Sequence, residues 1–196
     1  MNIIVRPYGS NLSYCRPDTT WERENKDFYS PECVNEIYWT PVIFARISKA
    51  GKCVGSKFAG RYYDAVGCGL LMYCSGQAIR QLSHIVDKTS ILPHPLFQPV
   101  VLEDEKEFTV STKVAGTGSN AEASVILSDS PVILSGAKDL LEEALCKASE
   151  LTSLRIGDFV AVELRELQKL ACREDGNVAV KGEFCEKEIF SFNIIF

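Results

Sequence analysis

The sequence predicts a mixed α+β domain in which strands outnumber helices. Three observations carry that expectation. Most apolar stretches have strand length, one segment has strong helical periodicity, and proline and glycine punctuate the chain at short intervals. A length of 196 residues, 46% of them hydrophobic, suits one domain over 1–196 with a sizeable core.

Residues 1–36 read as a shortened, irregular N-terminal region, with turn signals at Arg6-Pro7, Arg16-Pro17 and Ser30-Pro31. Residues 41–48 (PVIFARIS) read as a strand ended by the Lys49-Ala50-Gly51-Lys52 turn. Ser56 is placed to cap a short helix over 56–66, because Phe58, Tyr62 and Val66 recur every four residues. Residues 67–74 are uncharged and read as a buried strand, with a helix still open. Three prolines make 89–99 a loop. Phe108, Val110, Thr112 and Val114 alternate as a half-buried strand does; 116–120 is its turn and 123–127 its antiparallel return. Residues 137–151 form the clearest helix, its apolar stripe made of Leu140, Leu141, Ala144, Leu145, Ala148 and Leu151. Gly157-Asp158 then turns into a strand over 159–164. The chain closes on 189–195, with Phe190, Phe192 and Ile194 facing one way, as a core strand or as an edge that pairs two subunits.

Composition excludes several classes. The balance of 21 basic to 26 acidic residues argues against nucleic acid as a partner, since phosphate neutralisation needs a basic face. The longest nearly apolar run, 65–74, is half the roughly 20 residues a membrane helix needs. The opening MNIIVRPYGS lacks a signal peptide's apolar stretch. A cytoplasmic protein with neither nucleic-acid nor membrane partners is expected. The eight cysteines contain no C-x-x-C, and most sit in apolar runs, which reads as buried free thiols. The two histidines, His84 and His94, stand in no Cys/His nucleophile signature.

The order of segments over 13–164 resembles the fumarylacetoacetate hydrolase superfamily, and more closely its short bacterial members described as acylpyruvate hydrolases or 2-hydroxyhepta-2,4-diene-1,7-dioate isomerases. The residues that carry the resemblance are Arg16-Pro17-Asp18-Thr19 for the K-P-D-T turn and Arg46-Ile47 with Lys49-Ala50-Gly51 for the tail of the E-x-E strand. Tyr62-Tyr63-Asp64-Ala65-Val66-Gly67 stands for Y-Y-D-E-I-G, and Ser153-Leu154-Arg155-Ile156-Gly157-Asp158 for T-L-K-x-G-D. The resemblance implies a mixed β-roll like the family's C-terminal domain, with a few peripheral helices, and a homodimer. It also implies Mg2+ or Mn2+ held by three carboxylates, which polarises a substrate carbonyl for C–C cleavage or enol transfer.

Matched position by position, those ligands are missing. The two Glu of E-x-E fall on Thr40 and Val42, and the Asp of the next strand falls on Leu71. The family's later Arg-Asp pair falls on Ser75-Gly76, and its K-x-F-D segment on His84-Ile85-Val86-Asp87. The Thr-Gly step falls on Val162-Glu163, and 2–13 lack the His and Glu of the family's N-terminal loop. One hydroxyl and two hydrocarbon side chains do not replace three negative charges around a dication. No cofactor and no catalytic residue are therefore expected, and Arg16, Asp18, His84 and Glu163 are the candidates for a remnant pocket. Two readings follow. One is a catalytically degenerate binding or interaction scaffold, holding a small anion or pairing with an active relative. The other is a hydrolase or isomerase of acylpyruvate-like 2-oxo acids whose site has been rearranged around Glu163 and His84.

Overall fold

The computed structural model describes residues 1–76, 79–114 and 125–196. Its strands are β1 (Asn2–Arg6), β2 (Tyr14–Pro17), β3 (Trp21–Glu22), β4 (Phe28–Tyr29), β5 (Glu36–Ile47), β6 (Tyr63–Gly76) and β7 (Ile79–Ser83). They continue with β8 (Ser90–Ile91), β9 (Glu107–Val114), β10 (Val125–Ile133), β11 (Phe159–Glu163), β12 (Gln168–Cys172), β13 (Val178–Phe184) and β14 (Lys187–Ile195). The one α-helix among the described residues is α1 (Ala137–Leu151). The larger sheet runs β2-β1-β11-β5-β6-β8-β3, with β12 also against β5 and β7 against β6. The smaller runs β10-β9-β13-β14-β4. Both are mixed: β1 lies parallel to β11, β3 to β8 and β4 to β14. The α+β, strand-rich expectation holds.

Side-chain alternation along β5 explains its apolar run over 41–45. Ile37, Trp39, Ile43, Ala45 and Ile47 enter the main core, which also takes the inner face of the smaller sheet and the buried stripe of α1. Val42 and Phe44 point the other way into a second cluster with Ile3, Val5, Leu71, Tyr73, Phe159 and Ala161. A strand covered on both faces needs no polar alternation. Pro41 sits in mid-strand without a donor, yet costs no ladder bond. Its carbonyl accepts from Leu164, placing its missing N–H at the break between the β11 partners (Val42 to Arg46) and the β12 partners (Glu36 to Trp39).

Several expectations need correction. The N-terminal region is not irregular: β1 and β2 form an antiparallel hairpin that extends the larger sheet. The strand read at 41–48 begins at Glu36, and that read at 67–74 runs from Tyr63 to Gly76. The helix read at 56–66 is a 3-10 turn over Ser56–Arg61, followed at once by β6; Gly55, not Ser56, precedes it, and no side chain caps it. A spacing of four residues fits one face of a strand as well as one face of a helix, and Val66 belongs to the strand. The loop at 89–99 contains β8 and meets Val66 in a bridge at Phe97. The turn read at 116–120 lies outside the described residues, whereas β10 does return antiparallel on β9. In α1 the buried face is Leu141, Ala144, Leu145 and Ala148, while Leu140 and Leu151 are exposed. All eight cysteines are free, but only Cys68 and Cys74 are buried; Cys15, Cys33 and Cys53 are exposed. The closing strand is core: Phe190, Phe192 and Ile194 are buried between β13 and β4.

Candidate functional site

Thr40, Val42 and Leu71 meet on one sheet face. Thr40 pairs directly with Leu71 across β5 and β6, and Val42 pairs with Glu163 across β5 and β11. Because side chains two apart on a strand share a face, Thr40 and Val42 point the same way as Leu71, Tyr73 and Glu163. Thr40, Val42 and Leu71 are each 0% exposed. The Thr40 hydroxyl donates to the Arg165 carbonyl at 2.8 Å. Val42 and Leu71 are packed in the second apolar cluster, against which Tyr38, Trp21, Leu96 and Leu167 also close.

The polar part of this face is a directed chain of hydrogen bonds. The guanidinium of Arg16, on β2, is fully buried and lies 4.6 Å from the centre of the Tyr73 ring. It donates to the Met72 carbonyl at 2.7 Å, the Thr89 carbonyl at 3.1 Å and the Ser90 hydroxyl at 3.0 Å. Its Nε donates to the Tyr14 hydroxyl at 3.4 Å. Tyr14 and Tyr73 are hydrogen-bonded through their hydroxyls, and Tyr73 donates to Glu163 Oε1. The other carboxylate oxygen accepts from the Tyr8 amide at 3.1 Å. Protons are thus offered in one direction, from a buried cation through two phenols to a buried anion.

Burial raises the Glu163 pKa above the usual carboxylate range, against the opposing effects of the Tyr73 and Tyr8 hydrogen bonds and the Arg16 charge. Burial also raises both phenols. His84 packs edge-on against Tyr14, with ring centres 4.6 Å apart, and burial together with Arg16 lowers its pKa, favouring neutral imidazole. Of the four residues proposed for a remnant pocket, Arg16, Glu163 and His84 are therefore joined through Tyr14 and Tyr73. Asp18 stands apart, its carboxylate solvent-exposed and 3.8 Å from the N-terminal ammonium. Asp64 is bound by Arg46 and Asp87 is exposed, so neither joins Glu163. Ser75 and Gly76 line a separate cleft of about 680 Å3 with Asn35, Glu36, Lys169 and Arg173.

Sequence reading did not single out the two tyrosines. The one available signal was spacing: Tyr14 and Arg16 flank Cys15, as Leu71 and Tyr73 flank Met72, so each pair shares a strand face. Among the described residues no group of three or more His, Cys, Asp or Glu side chains converges. The residues present do not fit a hard dication. Glu163 is the one carboxylate beside Val42, it is engaged by a phenol and an amide, and a guanidinium already occupies the neighbourhood.

No family model matches this chain, and no curated protein sequence does. Solved structures do. The fumarylpyruvate hydrolase of Pseudomonas aeruginosa, determined with Mn2+ and pyruvate, matches with a TM-score of 0.70 at 12% identity, over 100% of this chain and 90% of that one. The fold is of the fumarylacetoacetate hydrolase type. Maleylpyruvate hydrolase from Sphingobium matches at a TM-score of 0.67 and 13% identity, over 99% of this chain and 70% of the other. The 5-carboxymethyl-2-hydroxymuconate delta-isomerase of Mycobacterium smegmatis matches at 0.67 and 12%, over 99% and 78%. At these identities the likeness is one of fold, and function has to be argued from the site.

Proposed function

We propose that this chain is a catalytically degenerate member of the fumarylacetoacetate hydrolase type, a binding or interaction scaffold that works without divalent-metal chemistry. One observation carries the reading. The face formed by Thr40, Val42 and Leu71 is closed by hydrocarbon and by the Arg16–Tyr14–Tyr73–Glu163 chain, so it offers a dication one neutral hydroxyl and one engaged carboxylate. The same reading covers a single domain over 1–196, a homodimer by analogy with the fold, and a cytoplasmic setting. A small anion or an active relative is the partner it favours. Metal analysis after loading with Mg2+ and Mn2+ tests it. The expected result is no stoichiometric ion; one bound ion per chain, lost on altering Glu163, overturns it.

A second reading is favoured by the buried Glu163 carboxylate, which accepts from Tyr73, itself bonded to the Tyr14 on which His84 packs. This is a proton-handling arrangement that suits an enol or 2-oxo acid. Turnover of acetylpyruvate, abolished by Glu163→Gln and unaffected by chelator, would establish a rearranged enzyme. Absence of turnover with and without divalent ions leaves the scaffold reading.

A further inference from the structure

A basic surface stands apart from this site and does not depend on how the site is read. Between Ser48 and Tyr63 the chain carries Lys49, Lys52, Lys57 and Arg61 and no Asp or Glu. The remaining chain holds 17 cationic against 26 acidic side chains, a net charge of −9, so four positive charges are concentrated in one loop of an acidic protein. All four are exposed. Among the described residues, the ion pairs of the protein involve other lysines and arginines. Three of the four cations instead lie on rings. Lys57 Nζ and Arg61 Cζ are 4.9 and 5.4 Å from the centre of the Phe58 ring, which is itself 41% exposed, and Lys49 Nζ is 5.2 Å from that of Tyr62.

The loop holding them is preorganised. Its ends are tied where the Ser48 amide donates to the Tyr62 carbonyl at 2.9 Å, and Gly51 and Leu154 exchange backbone bonds at 3.1 and 2.8 Å. The Cys53 and Val54 amides donate to the carbonyl and hydroxyl of Ser149 at 2.9 and 2.8 Å. Val54 and Ala59 are buried as anchors. Tyr62 lies so close on Gly51 that a Cβ there would sit 2.3 Å from the ring. A rigid cationic ledge loses little entropy on binding.

We propose that this ledge is a docking surface for a short acidic polypeptide segment, its carboxylates on Lys49, Lys52, Lys57 and Arg61 and one apolar side chain on Phe58. Charge complementarity selects an anionic partner, and the surroundings select a short one. Asp64 and Glu142 border the loop, with Glu142 Oε1 beside Gly60. A bilayer plane or a long nucleic acid reaches past the ledge to these and to the rest of the acidic surface. A segment of the loop's own length meets the four cations with Glu142 as its one acidic neighbour inside the loop's span.

Fluorescence anisotropy with a labelled peptide of Asp and Glu carrying one central Leu tests this on the full chain. Matched arms use an uncharged Asn/Gln peptide, phosphatidylserine-containing vesicles and a single-stranded oligonucleotide. The acidic peptide should bind, weaken at least tenfold between about 50 and 300 mM salt, and lose at least tenfold in affinity in Lys52→Glu/Lys57→Glu/Arg61→Glu. Phe58→Ala should cost about three- to tenfold. All four side chains are exposed, so circular dichroism and the melting temperature should confirm that these variants fold. No binding by the native chain, equal binding by the charge-reversed chain, or preference for vesicles or oligonucleotide over the peptide overturns the proposal. Metal loading, which tests the scaffold reading, leaves each of these outcomes unchanged.

Discussion

Thr40 and Leu71 face each other across β5 and β6, both without solvent exposure, and Val42 lies one pleat along on the same face. A carboxylate at any of these positions would be an unsolvated charge against hydrocarbon. Val42→Glu is therefore expected to destabilise the fold by about 3 kcal/mol or more. Urea denaturation with and without millimolar Mn2+ checks this. Mn2+ should not restore the loss, because the remaining ligands are still absent. Recovery of native stability by the ion would show that the face keeps a latent metal cage.

Arg16 is a fully buried cation of the larger sheet. Its guanidinium satisfies the Met72 and Thr89 carbonyls and the Ser90 hydroxyl, and faces Glu163 through two phenols. Arg16→Met takes the guanidinium donor from the Met72 carbonyl, removes one of the two donors to the Thr89 carbonyl, and deletes the cation that faces buried Glu163, and should cost about 2–4 kcal/mol. Arg16→Lys should recover little of it, because one ammonium cannot supply the fork that reaches β6 and β8 together. Equal stability of the Lys variant and the native protein would refute a geometric role for the guanidinium.

The parts of this fold that were readable in the sequence are those set by local period. The alternation Phe108, Val110, Thr112 gave β9, and the spacing Leu141, Ala144, Leu145, Ala148 gave α1. The hairpin of β1 and β2 was not readable. Ile3, Ile4 and Val5 are buried on both faces because β1 pairs with β11, more than 150 residues away. β13 is harder to read: Val178, Val180 and Phe184 alternate with less buried residues, but the buried position between Val180 and Phe184 is Gly182, which has no side chain to carry the pattern. At the site, the gathering of Thr40, Val42 and Leu71 follows from pairing two strands in one register. The link from Arg16 to Glu163 does not, since it depends on two tyrosine hydroxyls whose neighbours are fixed only once β2, β6 and β11 share a face.

Glu163 should set a pH dependence whose sign is fixed by its environment. Burial raises its folded-state pKa above the unfolded value of about 4.3, so between the two the folded chain binds more protons than the unfolded one. Its contribution to stability is then greatest below about pH 4.3 and declines as pH rises through the folded-state pKa. Unfolding free energies of the native protein and Glu163→Gln, measured from pH 4 to 8, should diverge in this window, with the native chain losing stability relative to the variant as pH rises. Parallel curves would mean that the carboxylate is not held in a desolvated place.

Gly69 lies tight against the backbone of β8. A Cβ at this position would lie 2.2 Å from the Ile91 carbonyl oxygen, and the obstacle is backbone, which cannot swing aside as the end of a side chain can. Gly69→Ala must therefore push β8 away, and β8 carries Ser90, an acceptor for Arg16 at 3.0 Å. The expected cost is about 1–3 kcal/mol, in the range of overpacked cores. Part of it should come from the loosened guanidinium, so combining Gly69→Ala with Arg16→Met should cost less than the two changes separately. A double-mutant cycle by urea denaturation measures that coupling, and strict additivity would show that the strand crossing and the Arg16 anchor are independent.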